Sequence, residues 1–212
     1  MGEKKRLLLI GGGGHCRSVL DSVCSANKYD RIGIIDNKIL SSDLSVPIIG
    51  KDSDLPDLLD EGWTDAFISV GSVGDTRLRR KLYRMVKDIG FAVPVIVDPS
   101  AVVSADSVIE EGVFIGKRSV VNSGTTIGTG SILNTGAVIE HDCKIGDFSH
   151  ISTGSILCGN VFVGMDSHIG AGSVVRQEVN IGNNVLIGAG SVVVGDVPDS
   201  VKAYGNPCRI VD

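Results

Sequence analysis

Of the four histidines in the chain, His141 alone has a carboxylate on each side, Glu140 and Asp142. Imidazole titrates near neutral pH, and an adjacent carboxylate can fix its tautomer and raise its basicity. The triplet is therefore a candidate to take a proton from an attacking nucleophile. A solvated turn would account for the same three residues. His150 follows nine residues later, and His168 another eighteen after that. This pair could begin a metal site, but eighteen residues to either side stand Ile132 and Leu186, so no suitable third ligand continues the spacing. No metal is expected. The five cysteines include no C-x-x-C pair and are odd in number, which predicts reduced thiols in a cytoplasmic protein.

A second candidate site lies near the start. The apolar run Leu7-Leu8-Leu9-Ile10 leads into Gly11-Gly12-Gly13-Gly14-His15 and then a helical segment. Glycines there let the backbone approach a ligand, and a helix N-terminus favours an anion. The dinucleotide pattern G-x-G-x-x-G fails, because Cys16 stands where the third glycine belongs. Asp36, at the end of the next apolar run, lies where such folds contact a ribose or base. A tight strand-to-helix turn is the alternative explanation of the glycines.

The elements that must position these residues fall into two kinds. From Val97 to Val193, every sixth residue is Val, Ile or Leu without exception. Glycine often follows the aliphatic, as at Gly116, Gly128, Gly146 and Gly164, and a small residue such as Ser119, Thr125, Ser131 or Ser149 stands four after it. This predicts a short strand and a turn per hexapeptide, with the aliphatic inward, glycine permitting the turn, and stacked coils burying what one hexapeptide cannot. The twenty-eight glycines and 4% aromatic content fit small stacked units better than an ordinary ring-filled core. Cys143 falls at an inward small-residue position and reads as packing.

Before the repeat, residues 6–11, 31–37, 66–72 and 93–98 read as buried strands. Residues 16–26 and 75–90 read as helices, the second with Leu78, Leu82, Met85, Val86 and Ile89 on its apolar face. The expected fold class is a small Rossmann-like parallel α/β domain over residues 1–96, followed by a parallel β-helix over 97–212, joined at residues 94–99. A net charge of -5 leaves no electrostatic footprint for nucleic acid. The short apolar run at the start is too brief for a signal peptide, and no membrane span is expected.

The repeat resembles that of the left-handed β-helix acyltransferases, [LIV]-[GAED]-x-x-[STAV]-x. With the glycine-histidine turn and Ile35-Asp36-Asn37, the whole chain resembles the sialic-acid O-acetyltransferase-like family, which includes enzymes acetylating UDP-linked 4-amino sugars in glycan biosynthesis. The resemblance implies three hexapeptides per coil, a homotrimer, and acetyl-CoA bound in the groove between neighbouring β-helices. It implies His141 as general base, oriented by Asp142, with His150 nearby. Gly13 and His15 would contact the nucleotide phosphates, and Asp36 the ribose or base. Gly159, one coil above His141, would offer its N–H to the thioester oxygen. Ala171 and Ala189 would line pantetheine, and Pro207 and Arg209, in the ending Gly-Asn-Pro-Cys-Arg, would lie near the CoA phosphates. Asn134 is a further candidate sugar contact. On a three-sided helix the eighteen-residue spacing stacks His168 on His150, as a surface ladder or with a role in catalysis.

The leading expectation is N-acetylation of a nucleotide-linked amino sugar. O-acetylation of sialic acid or a similar sugar uses the same base chemistry. Two readings of another class are a metal-dependent hydratase on the same β-helix and a non-catalytic nucleotide-sugar-binding subunit.

Overall fold

A computed structural model of the chain describes residues 5–38 and 43–211. Four parallel strands, β1 (Arg6–Ile10), β2 (Arg31–Ile35), β3 (Ile48–Gly50) and β4 (Asp65–Ile68), form one sheet in the order β3-β2-β1-β4. Helix α1 (Gly14–Ala26) covers one side, while α2 (Leu55–Asp60) and α3 (Arg77–Ile89) cover the other. Strand side chains alternate faces, so Leu7 and Leu9 of β1 pack toward α1, and Leu8 and Ile10 pack with Leu58, Leu82 and Val86. With both faces covered, β1 carries an unbroken apolar run, as parallel strands do.

Three expectations change here. Strand β3 and helix α2 are too short to carry a pattern, and neither was foreseen. Residues 96–97 of the run expected as a domain strand instead pair with Phe114–Ile115 and open the β-helix. Leu78 is exposed, and Arg79 takes its place among the buried residues of α3.

From Ile96–Val97 onward, two-residue strands pair in parallel with partners eighteen residues away, giving three flat faces. The first face runs through Phe114–Ile115, Ile132–Leu133, His150–Ile151, His168–Ile169 and Leu186–Ile187. The second runs from Val102–Val103 to Val192–Val193, and the third from Val108–Ile109 to Asn180–Ile181. Inward aliphatics such as Ile127, Leu133, Ile139, Leu157 and Ile169 are fully buried in one continuous core.

The turns work differently from the expected glycine-after-aliphatic scheme. Every sixth residue from Gly112 to Gly190 has a positive φ, and these left-handed positions lie three after the aliphatic. Seven are not glycine, including Arg118, Asp142, Phe148 and Glu178. The glycine directly after the aliphatic has another cause. A Cβ at Gly146 would lie 2.5 Å from the Met165 nitrogen, and one at Gly170 would lie 2.4 Å from the Ala189 nitrogen. Close approach of the next coil therefore selects glycine there. The small residue at the following bend is buried and donates its hydroxyl to a carbonyl of the next coil, as from Ser131 to Gly146 and from Ser155 to Gly170. Each buried hydroxyl is thus satisfied.

The α/β domain rests on the first face. Ile96, Phe114 and Ile132, the outward residues of that face, join the cluster of Leu7, Val19, Leu20 and Val23. Helix α3 lies along the corner between the third and first faces. There Arg79 donates to the carbonyls of Gly130 and Phe148, Arg80 pairs with Asp166 at 2.7 Å, and Tyr83 donates to Glu111. No helix among the described residues is long and apolar enough to cross a membrane.

Candidate active site

His141 sits on the turn between the second and third faces, two residues after the inward Ile139, and its side chain is 63% exposed. Its Nδ1 lies 2.8 Å from Asp142 Oδ2. A carboxylate only accepts, so Nδ1 carries the proton and the Nε2 lone pair is left for an incoming acid. Asp142 makes this contact from the left-handed region, φ 60°, which a short polar side chain tolerates. Of the two flanking acids it is Asp142, not Glu140, that meets the imidazole.

Gly159 occupies the same corner one coil higher. A Cβ there would fall 2.5 Å from His141 Nε2. The missing side chain is what allows the ring to lie against the next coil. The Gly159 carbonyl accepts from Glu178, while its N–H donates to nothing among the described residues. An unoccupied N–H beside the reactive imidazole nitrogen can bind a developing oxyanion.

His150 and His168 occupy a different setting. They are neighbours in register on the first face, with ring centroids 4.8 Å apart and planes at 90°. The expected surface ladder is instead buried, because the loop after β4 covers this face: both residues are under 10% exposed. The outward apolar residues Phe114, Ile132 and Leu186 in the same column were the sign of that cover. His150 Nδ1 donates to the Ser72 carbonyl at 2.9 Å, which leaves Nε2 to accept from Asn134 Nδ2 at 3.4 Å. Burial lowers the His150 pKa to about 3, and the charges of His168, Arg79 and His15 push the same way. His168 Nε2 meets Ser152 Oγ at 3.2 Å, and its Nδ1 is buried without a partner. Asn134 lies at the first-to-second corner, so it and His150 are a full side of the triangle away from His141 in the same chain.

The glycine turn after β1 is the mouth of a cleft of about 420 Å³ lined by Gly11, Gly13, Gly14, His15, Asp36 and Gly71. Asp36 accepts from the Gly12 and Lys38 amides, both at 2.8 Å, and so braces the turn. The His15 ring turns edge-on to Phe114 of the β-helix, and burial lowers its pKa to about 4.

Ala171 and Ala189 are exposed on the first-to-second corner. Residues 205–208 close over the top of the second face, where Val192 donates to Gly205 and Cys208 to Val192. Pro207 and Arg209 lie at that upper end, both exposed. Cys143 is buried and donates to the Cys158 carbonyl, and burial raises its pKa to about 11. It packs, as expected, and all five cysteines are free. No group of three or more His, Cys, Asp or Glu side chains among the described residues is arranged to hold a metal ion.

A stacked parallel coil with an imidazole–carboxylate pair on a turn, and a small parallel α/β domain docked on one face, is the architecture of a hexapeptide-repeat acyltransferase. Comparison with known proteins gives the same class. Residues 6–86 match the PglD N-terminal domain, 106–141 the bacterial transferase hexapeptide (six repeats), and 178–195 the hexapeptide repeat of succinyl-transferase. PerB from Caulobacter crescentus, solved with CoA and GDP-perosamine, is 39% identical over 97% of both chains, with a TM-score of 0.91. The acetyltransferase domain of PglB from Neisseria gonorrhoeae, solved with acetyl coenzyme A, is 35% identical over 98% of this chain and 100% of that one, with a TM-score of 0.92. A mutant perosamine N-acetyltransferase from Caulobacter crescentus, also with CoA and GDP-perosamine, is 33% identical over 97% and 96%, with a TM-score of 0.73. No curated protein matches the sequence. The chain belongs to the hexapeptide-repeat, left-handed β-helix family of sugar N-acetyltransferases.

Proposed function

We propose that this protein moves the acetyl group of acetyl-CoA onto the amino group of a nucleotide-linked amino sugar, with His141 as general base. The observation that carries the reading is the His141–Asp142 bond, which in the neutral imidazole turns the Nε2 lone pair toward Gly159, whose N–H is unused among the described residues. The amine attacks the thioester carbon while Nε2 takes its proton. The oxyanion is held by Gly159, and collapse breaks the C–S bond as the imidazolium returns a proton to the thiolate.

In this reading residues 1–96 hold the nucleotide, with the phosphates at Gly13 and His15 and the ribose or base at Asp36. Residues 97–212 carry the acetyl-CoA site. The protein acts in the cytoplasm as a homotrimer. Support for the trimer comes from the second face, whose outward column Val102, Val120, Val138, Ile156, Val174, Val192 is wholly β-branched and apolar, with Val102 at 64% and Ile156 at 38% exposure. A neighbour packed there brings its first-to-second corner, with Asn134, Ala171 and Ala189, beside the His141 corner. That would reunite residues separated within one chain. Ile156→Glu should convert the trimer to monomer by sedimentation equilibrium and abolish transfer; a trimeric, active variant would refute the shared site.

The deciding assay offers UDP-, dTDP- and GDP-linked amino sugars and free sialic acid with acetyl-CoA, following thiol release. Turnover of a nucleotide-linked amine supports the proposal. Turnover of sialic acid alone assigns O-acetylation, and no thiol release with any acceptor would refute acetyl transfer and leave the hydratase and binding-subunit readings.

A further inference from the structure

We propose that Gly124 is a positioning residue for acetyl transfer, acting through Asp142. The inference rests on the His141–Asp142 reading and extends it to the coil below. Gly124 lies one coil beneath Asp142 on the same corner, where the left-handed positions are Gly124, Asp142, Asn160 and Glu178. The one glycine of this column is the residue directly under the carboxylate. A Cβ at Gly124 would fall 2.6 Å from Asp142 Oδ1 and 3.5 Å from its Cγ. That carboxylate is the flexible end of a side chain, so it would move aside at little cost to the fold. What it would lose is its hold on His141 Nδ1, 2.8 Å away.

Backbone conformation alone does not require glycine here. Arg118, Phe148, Asn160 and Glu178 occupy the equivalent turn position with φ between 55° and 63°. The repeat uses the same device elsewhere: a Cβ at Gly130 would fall 2.8 Å from the ring of Phe148, the residue one coil above it. By contrast Gly154, with φ +66°, has nothing within 4 Å of a Cβ. Gly124 and Gly159 therefore bracket the pair from below and above, one leaving room for the carboxylate and the other for the imidazole.

The test is a kinetic double-mutant cycle on the full chain, with Gly154→Ala as the control for left-handed backbone strain. Asp142→Ala should lower kcat by roughly 10–100-fold, the range over which partners that orient a functional imidazole act. Gly124→Ala and Gly124→Asn should each approach that loss with the KM of both substrates unchanged. Their melting temperatures should match that of Gly154→Ala, which carries the same left-handed strain without touching Asp142. In the Asp142→Ala background, adding Gly124→Ala should cost nothing further. Wild-type kcat in Gly124→Ala beside an impaired Asp142→Ala would overturn the positioning role and leave the pair intact. So would losses that simply multiply in the double variant. Wild-type kcat in Asp142→Ala would remove the pair itself, and the proposal with it.

Discussion

His141 and His150 stand nine residues apart in the same repeat, yet they differ in almost every physical respect. His141 occupies a turn, two residues past an inward aliphatic, with its side chain 63% exposed and a carboxylate on Nδ1. His150 occupies the outward place of a strand, is 9% exposed, and has a backbone carbonyl on Nδ1. Both imidazoles are held in the same tautomer, but only one has its free nitrogen at an open surface. Position within the hexapeptide and the cover on each face decide what an imidazole can do. The turn presents an imidazole nitrogen to an open surface, while the covered strand makes a neutral, apolar-embedded joint between domains.

The largest effect that could break this comparison is catalytic. His141→Asn should lower acetyl transfer by at least roughly 10²-fold, the minimum expected of a general base, with the melting temperature unchanged. Equal loss in His150→Asn, or no loss in His141→Asn, would erase the distinction between the two settings.

Next in size is the joint that buries His150. Arg79 is 3% exposed and has no carboxylate within ion-pair distance among the described residues; its guanidinium serves the Gly130 and Phe148 carbonyls and the Ser72 hydroxyl. Burial lowers its pKa to about 10, so it remains charged at neutral pH. Arg79→Met would strand those acceptors, costing about 2–4 kcal/mol and lowering Tm by roughly 5–15 °C. An unchanged Tm would mean that the docking is held by Phe114 and its apolar neighbours alone.

The repeat was legible because inward aliphatics obey a strict period of six, and the His141–Asp142 contact because an acid next in sequence lies within reach of an imidazole on a turn. The same reading missed what depends on the second layer. Helical spacing places Leu78 on the buried face, but α3 packs against a sheet and a β-helix corner at once, and the corner claims Arg79. His168 looked solvated because a β-helix considered alone has three wet faces, although Phe114, Ile132 and Leu186 already marked one as covered. The turn was credited to the glycine after the aliphatic, yet Asp142, Asn160 and Asn184 recur at the true left-handed position. The resemblance implies His150 near His141, with Asn134 a candidate sugar contact, and within one chain a triangular coil separates both from His141 by one whole side.

The smallest effect tests the buried setting by pH. His150 and His15, with folded pKa values of about 3 and 4, lie below the unfolded histidine value of 6.5. The unfolded chain therefore binds more protons across that interval. Their contribution is fully present above pH 6.5 and is lost as pH falls through the window toward 4 and then 3. His150→Leu, between Ile132 and His168 in its column, removes one of the titrating groups and places a leucine where Ile132 and Leu186 already supply aliphatics. Between pH 6.5 and 4 its unfolding free energy should fall less steeply than wild type by up to about 1.4 kcal/mol per pH unit, the slope of one proton. Parallel curves for the two proteins would mean that His150 is hydrated and charged in the folded state, and that the loop after β4 does not seal the first face.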